Sequence, residues 1–162
     1  MDGHTIPLLG AHMSIAGGLE KALLRGDWLG CATIQIFTTS PNRWEERTLE
    51  KSEISRFRET RKRTGIDPVI SHAGYLINLA SPDREIYLKS LNAMVHEIRR
   101  CEQLGVDLLV LHPGHHRGAG GEWGIARVVE ALNTIHAETT GAPVKIALET
   151  TAGQGDLPRE QL

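Results

Sequence analysis

The fold of this chain is decided at residues 108–112, which carry the sequence LLVLH. Four consecutive apolar residues are typical of a strand that is buried on both faces of a parallel sheet. The histidine that follows would stand at the carboxyl end of that strand, where α/β folds gather their ligands and catalytic groups. His112 is therefore the first candidate functional residue.

Two other short apolar runs end in the same way. Residues 68–71 precede His72, and residues 144–148 precede Glu149. Both runs predict buried parallel strands, and a buried carboxylate without a partner would be costly, which favours a ligand role for Glu149. A single histidine at a strand end is more often a hydrogen-bonded structural group. Two imidazoles and a carboxylate on one rim, however, suit zinc or a similar divalent ion.

Strands and helices alternate outward from these runs. Strands are predicted at residues 8–14, 33–38, 67–72, 106–111 and 144–149. Helices are predicted at residues 17–29 and 48–64, from an N-cap at Ser81 to a stop at Gly105, and along an apolar stripe from Ile125 to Ile135 that ends at Gly141. Residues 153–162 are predicted as a loop and the start of another helix.

A (β/α) barrel and a doubly wound open sheet both fit this alternation. The G-x-G-x-x-G fingerprint of a dinucleotide-binding sheet is absent from the sequence. Polar groups after successive strands favour the (β/α)8 TIM barrel, of which only about the first five βα units would be present. A complete barrel typically has ~250 residues. We therefore expect residues 1–162 to form one domain, the N-terminal portion of a longer barrel with an exposed hydrophobic edge at the fifth strand. The alternative is a five-stranded domain closed in some other way.

Composition sets few limits on function. A net charge of −2, with 40% hydrophobic and 23% charged residues, is ordinary for a globular protein and demands neither nucleic acid nor a membrane. No apolar run approaches the ~20 residues of a membrane span, and residues 1–10 lack a signal-peptide pattern. Cys31 and Cys101 lie inside predicted elements and are expected to be buried, reduced thiols of a cytoplasmic protein.

Five segments together resemble the endonuclease IV family, the zinc-dependent apurinic/apyrimidinic endonucleases of DNA repair. They are LGAHMS at residues 9–14, SHAGYLINL at 71–79, RCEQLG at 100–105, LHPG at 111–114 and LETTAGQG at 148–155. The segments follow the family's order and cover nearly the whole chain. The resemblance implies a TIM barrel with a trinuclear zinc cluster that hydrolyses the DNA backbone 5′ to an abasic site.

The resemblance also implies roles for the three rim residues. His72 and His112 would ligate one zinc ion, and Glu149 would be the catalytic carboxylate shared between two. The family's remaining ligands come from strands after the fifth, so this chain is expected to hold at most a partial site and to be inactive without a C-terminal barrel half. His12, at the end of the first strand, is predicted to shape the floor of the site or to support a ligand.

Double-stranded DNA with an abasic site is the partner that the resemblance implies. Tyr75 would stack or wedge at the lesion. The alternative to this DNA-binding role is that Tyr75 is only a partly buried aromatic residue of the rim. The loop after the second strand would insert a side chain into the duplex; the family's arginine falls nearest Asn42, and Arg43 would substitute one position later. Residues 43–63 carry eight basic and five acidic side chains, which suits phosphate contacts or a solvated helix face.

Two other functions stay open on this sequence. A metal-dependent sugar isomerase or epimerase of the same barrel superfamily would not need the loop around Arg43 and Tyr75. A non-catalytic DNA-binding fragment would bind without metal and with a steep salt dependence. The adjacent His115 and His116 are predicted to lie in an exposed loop rather than to form a metal site.

Overall fold

The computed structural model describes residues 8–44 and 47–150, in which five strands alternate with four helices. The strands are β1 (Gly10–His12), β2 (Thr33–Ile36), β3 (Val69–His72), β4 (Leu108–Leu111) and β5 (Lys145–Leu148), and the helices are α1 (Leu19–Trp28), α2 (Lys51–Thr64), α3 (Arg84–Leu104) and α4 (Gly121–Glu138). The five predicted strands are therefore confirmed, each starting or ending within three residues of its predicted bounds. Over the same residues, no helix has the length and apolar content needed to cross a membrane.

The strands form one parallel sheet in the order β1-β2-β3-β4-β5. Each connection returns the chain to the adjacent strand, and right-handed crossovers of this kind place every helix on the same face of the sheet. A doubly wound sheet would instead reverse its strand order at one point. The sequential order is that of a TIM barrel, which the polar strand ends had favoured.

The hydrophobic core lies between the sheet and its helices. Alternate strand residues face this core, because successive side chains of a strand point to opposite faces. On the three central strands, the apolar residues that face the core are at most 1% exposed: Ile34, Ile36, Val69, Leu109 and Leu111. Helix α2 contributes the fully buried Phe57, and helix α3 contributes Met94 and Ile98. The sheet thus has one well-packed face within the described residues.

The fifth strand is less buried than the sequence predicted. Lys145 and Leu148 are exposed, and Leu148 keeps 44% of its surface accessible. Strand β5 pairs only with β4, so one edge and one face lack neighbours in the described part of the chain. This exposed apolar edge is what an unclosed barrel predicts, and the same reason leaves the three residues of β1 exposed.

The observed helix boundaries agree with some of the predicted start and stop residues and not with others. Gly65 and Gly105 end α2 and α3 with left-handed φ values of 69° and 73°, as expected of stop glycines. The predicted N-cap Ser81 is wrong. Asp83 caps α3, since its carboxylate accepts hydrogen bonds from the amides of Glu85 and Ile86. Helix α4 begins earlier than its apolar stripe, at Gly121.

The two cysteines differ in burial. Cys101 is fully buried, as predicted, whereas Cys31 is only half-buried, so its predicted burial is wrong. Cys31 lies in the turn between α1 and β2 rather than inside an element. Burial raises the pKa of the Cys101 thiol, and the nearby Glu97 carboxylate raises that pKa further. A hydrogen bond with Ser71 lowers the pKa by a smaller amount. Both cysteines are free thiols.

Candidate metal centre

His72, His112 and Glu149 come together at the carboxyl end of the sheet. His72 is the last residue of β3, while His112 and Glu149 directly follow β4 and β5. One ligand atom of each lies within 4.8 Å of the others. The Glu149 Oε2 atom is 3.5 Å from His72 Nε2 and 3.7 Å from His112 Nε2. Three donors that are 37 or more residues apart along the chain thus face one point.

Backbone carbonyls set the orientation of both imidazoles. His72 Nδ1 lies 2.7 Å from the Ala73 carbonyl oxygen, and His112 Nδ1 lies 3.1 Å from that of Glu149. Because a carbonyl oxygen can only accept, each Nδ1 donates to its carbonyl, and Nε2 is the ring nitrogen that faces the carboxylate. Metal-ligating histidines are commonly oriented by a hydrogen bond of this kind.

Two of the three separations between the donor atoms are close to those around a tetrahedral zinc ion. Zinc binds histidine nitrogen and carboxylate oxygen at about 2.0–2.2 Å, which sets neighbouring ligand atoms roughly 3.3–3.6 Å apart. The two measured nitrogen-to-oxygen separations, 3.5 and 3.7 Å, are close to this range. Two imidazoles and a carboxylate also leave the fourth position open, as catalytic zinc sites do.

Burial decreases across the site from β3 to β5. The His72 side chain is 9% exposed, the His112 side chain 36% and the Glu149 side chain 52%. The sequence-based expectation that Glu149 is buried is therefore wrong, because β5 is an edge strand of the described sheet. Its ligand role consequently depends on geometry and not on the cost of a buried charge.

A cluster of rings forms the floor and wall beside His72. Phe37 lies at the centre of this cluster, with ring centroids 4.4 Å from His12, 5.6 Å from His72 and 5.2 Å from Tyr75. His12 is 6.4 Å from His72 by ring centroid, and its Nδ1 lies 2.9 Å from the amide oxygen of Gln35. The structure thus places His12 beside the site but outside the three-ligand group.

Phe37 is a site residue that sequence analysis missed. It directly follows β2, so the rule that singled out His72 and His112 also applies to it. That rule, however, concerns polar residues, and the predicted second strand runs to residue 38, so the sequence carries no chemical signal at Phe37.

The predicted DNA-contacting residues lie on the loops at the same end of the sheet. Tyr75 is 63% exposed, so it is an open rim aromatic and not a partly buried one. Asn42 and Arg43 are exposed on the loop after β2, which is joined to the next loop where the Tyr75 amide donates to the Pro41 carbonyl at 2.9 Å. None of these three residues is within the metal-ligand group.

A cleft of about 630 Å³ opens next to the imidazoles. It is lined by Trp44, Tyr75, His72, His112, His115 and Arg117, among others. Its aromatic and basic lining places both stacking surfaces and positive charge beside the candidate ligands. The volume of the cleft is within the range of pockets that bind small organic ligands.

A buried charged network lies beneath the site, on the helix-facing side of the sheet. The Glu97 carboxylate of α3 accepts from the Thr38 hydroxyl at 2.7 Å and the Ser71 hydroxyl at 2.8 Å. Arg100 donates to Thr38 and to Glu97. Since Thr38 follows Phe37 and Ser71 precedes His72, this network joins α3 to the ends of β2 and β3.

The network also was not predicted. Arg100 belongs to the RCEQLG segment, but Glu97 and Arg100 sit in a helix whose sequence offers many charged residues. Only the three-dimensional packing shows that these two are buried, at 4% and 7% exposure.

One further expectation, the exposure of His116, is corrected by the structure. His115 is exposed as predicted, but His116 is buried; its Nδ1 accepts from the Gly120 amide at 3.1 Å and its ring packs on Gly124. Neither residue joins a metal-ligand group within the described residues. The basic last turn of α2 lies near the amino end of β3, opposite the metal centre.

Comparison with known proteins supports one fold and one family. Residues 28–160 match the family described as xylose isomerase-like TIM barrels. The chain is 46% identical over 150 residues to a protein named probable endonuclease 4 from Chloroflexus aurantiacus, an alignment that covers 93% of this chain and 53% of that protein. The chain thus spans about half the length of the curated relatives it matches.

Solved structures resemble this chain in the same way. Endonuclease IV from Thermus thermophilus superposes with a TM-score of 0.69 and 27% identity, covering 88% of this chain and 62% of that one. The 3-keto-D-glucoside 4-epimerase from E. coli superposes with a TM-score of 0.66, covering 88% and 56%, but at 13% identity it shows the shared fold alone. The strands follow the order of a TIM barrel, and nine-tenths of the chain aligns at 46% sequence identity with a protein named probable endonuclease 4. This chain therefore belongs to the endonuclease IV family.

Proposed function

We propose that this chain forms the N-terminal part of a DNA repair endonuclease that uses zinc to hydrolyse the phosphodiester 5′ to abasic sites. The observation that carries the proposal is the convergence of His72 Nε2, His112 Nε2 and Glu149 Oε2 at the carboxyl end of the sheet. Membership in the endonuclease IV family supplies the reaction class. The aromatic and basic cleft beside these atoms supports a nucleic-acid substrate.

The three rim residues are proposed as the ligands of one zinc ion, with Glu149 as the carboxylate that would be shared with a second. When bound, zinc would supply positive charge that stabilises the oxygens of a phosphoryl group during its displacement. The Nδ1 atoms of His72 and His112 are occupied by hydrogen bonds to the Ala73 and Glu149 carbonyls. These bonds orient both rings with Nε2 toward the proposed metal.

The loops around the cleft are proposed to hold the damaged duplex. Tyr75 would stack on a base next to the abasic site, because its ring is exposed and rests edge-on against Phe37. Asn42 and Arg43, exposed on the neighbouring loop, would enter the space left by the missing base. Linking the two loops through the Pro41 carbonyl would let these side chains act together.

We propose that this chain alone holds one metal ion and does not cleave DNA. The trinuclear cluster that the family resemblance implies needs more ligands than the described residues bring together. The relatives are about twice as long as the region matched here. In this proposal the remaining ligands, and closure of the barrel, come from a C-terminal half.

The first test measures zinc per chain by elemental analysis after a chelator rinse. We expect close to one zinc ion per chain, its loss in His112→Ala, and its retention in His136→Ala. His136 is a matched control, since it is an exposed histidine at the end of α4, away from the site. Zinc retained equally by both variants would remove His112 from the metal centre.

The second test uses a duplex with a single abasic site. We expect the chain alone to leave it intact, and to cleave it 5′ to the lesion only with a C-terminal half from a relative. Zinc-dependent cleavage by this chain alone would contradict the proposed inactivity. Metal-independent binding that weakens steeply with salt, without any cleavage by the completed barrel, would favour the DNA-binding alternative. Epimerisation of a sugar with no action on DNA would favour the epimerase alternative.

A further inference from the structure

The side chain of Asn78 connects the loops that follow β3 and β4. Its Oδ1 accepts hydrogen bonds from the His115 amide at 2.9 Å and the Ala80 amide at 3.1 Å. Its Nδ2 donates to the His115 carbonyl at 3.1 Å. Asn78 is only 8% exposed, so these contacts are shielded from water. The side-chain amide of Asn78 therefore both donates to and accepts from the backbone of His115, which lies 37 positions later in the chain.

The loop after β4 is shaped to receive this side chain. Gly114 has a φ of 105°, and a Cβ added to it would lie 2.0 Å from Asn78 Oδ1. A glycine is required there both for the backbone conformation and for the close approach. Next to this contact, the Leu79 amide donates to the Pro113 carbonyl at 3.1 Å. The two loops are thus held together by three contacts within four residues of His112.

His112 has less other support than His72. The His72 side chain is buried and packs on Phe37, whereas the His112 side chain is 36% exposed and bonds to the backbone at the end of the exposed strand β5. On its amino-terminal side, His112 is held by the pairing of β4 with β3 and β5, and its ring lies 5.1 Å from the His72 ring between centroids. On its carboxyl-terminal side, its position depends on the path of the loop that begins with it. Asn78 fixes that path by its bonds to His115, three residues later.

We infer that Asn78 is a positioning residue, which clamps the loop after β4 and holds His112 at the distance from His72 that a shared metal ion requires. The inference rests on the metal centre of the proposed function. It assigns to Asn78 an effect on metal affinity that a side chain serving only to close a loop would not have. Substitution of groups that orient a ligand typically lowers metal affinity by about 10–100-fold.

The experiment titrates cobalt(II) into the purified chain and follows its visible absorption spectrum, at a temperature where circular dichroism shows every variant folded. We expect Asn78→Ala to weaken cobalt binding by at least about 10-fold and to alter the spectrum. Asn78→Asp keeps both acceptor contacts but sets a carboxylate oxygen against the His115 carbonyl, so it should weaken cobalt binding in the same direction. Asn133→Ala, on the exposed surface of α4, is the matched control and should bind like the parent chain.

A second variant reaches the clamp from the other loop. Gly114→Ala should weaken cobalt binding in the same direction, and the double variant with Asn78→Ala should be less than additive, because both changes damage one contact. Unchanged affinity and spectrum in Asn78→Ala would overturn the inference. Fully additive effects of the two substitutions would also count against a shared clamp.

A metal-free measurement separates this inference from the proposed function. The His115 amide donates directly to Asn78, so its hydrogen exchange should be slow in the parent chain and at least about tenfold faster in Asn78→Ala. If the parent chain binds no cobalt, the proposed metal centre fails, and the exchange rates then decide the clamp by themselves. Equal exchange rates in the two proteins would overturn it.

Discussion

The two faces of the sheet differ sharply in how complete they are. The helix-facing side carries Leu109 and Leu111 at no more than 1% exposure, while on the opposite side of the same strand Leu108 and Val110 remain half-buried. On the neighbouring strands that opposite face carries the polar or charged Gln35 and Lys145. Within β4 both faces carry apolar residues of similar size, so local sequence cannot explain why only one of its faces is fully buried.

The difference teaches where stability and function lie in this chain. Packing of helices on one face supplies a closed core from residues that are all present in the described chain. The other face and the carboxyl rim carry the candidate ligands, of which His72 is buried but His112 and Glu149 are 36% and 52% exposed. We therefore expect substitutions on the helix side to lower stability, and substitutions at the rim to change binding with little effect on stability.

The largest expected effect comes from the buried charge network on the helix side. Glu97→Ala would leave the buried Arg100 guanidinium without its carboxylate, which should lower the free energy of unfolding by about 3–5 kcal/mol. Urea denaturation followed by circular dichroism measures this change. The matched control is Glu102→Ala on the same helix, whose exposed pair with Arg99 should contribute at most about 1 kcal/mol. Equal losses in the two variants would contradict the special role of the network.

A pair of adjacent leucines compares the two faces directly. Leu109→Ala, in the helix-side core, should lower the free energy of unfolding by about 2–5 kcal/mol, because it creates a cavity. Leu108→Ala, on the opposite face, should lower it by only roughly 1 kcal/mol, since that side chain is half-buried. The same urea denaturation measures both. Similar values would mean that the inner face is packed by something other than the described residues.

The rim should show the reverse behaviour, in which binding changes and stability does not. Glu149→Ala should leave the free energy of unfolding without metal within about 0.5 kcal/mol, because the side chain is half-exposed on an edge strand. In the parent chain, zinc at a hundred times its dissociation constant should add about 2.7 kcal/mol, and this gain should be lost in the variant. Thermal unfolding with and without zinc measures the difference. A zinc-dependent gain that survives in Glu149→Ala would exclude this residue as a ligand.

The smallest effect concerns the two thiols. Burial raises the pKa of Cys101, so the reactive thiolate is scarce there at neutral pH, while the half-buried Cys31 is open to reagents. A thiol reagent should therefore modify one cysteine quickly in the native protein, and both after unfolding. Mass spectrometry of peptides identifies the labelled residue. Labelling of Cys101 at the rate of Cys31 would show that the helix-side core opens readily.

Much of the fold could be predicted because its signals are local. Apolar runs at residues 108–111 and 144–148 predicted strands, and Gly65 and Gly105 predicted helix ends, since only glycine enters the left-handed conformation without strain. The sequence indicates Ser81 as the N-cap of α3, whereas Asp83 is the cap, because serine and aspartate are comparable caps and only the path of the chain decides between them. The burial of Glu149 was wrong, because a strand's position within the sheet is not a local property.

The sequence by itself determined the alternation of strands and helices and the placing of two histidines and one glutamate after three strands. Only the tertiary structure decided how these residues meet: which ring nitrogen faces the carboxylate, which loops Asn78 joins, and which charges of α3 are buried. The physical reason is distance along the chain. Strand and helix formation depend on neighbours a few residues apart, whereas the site and the clamp depend on contacts between residues 37 or more positions apart.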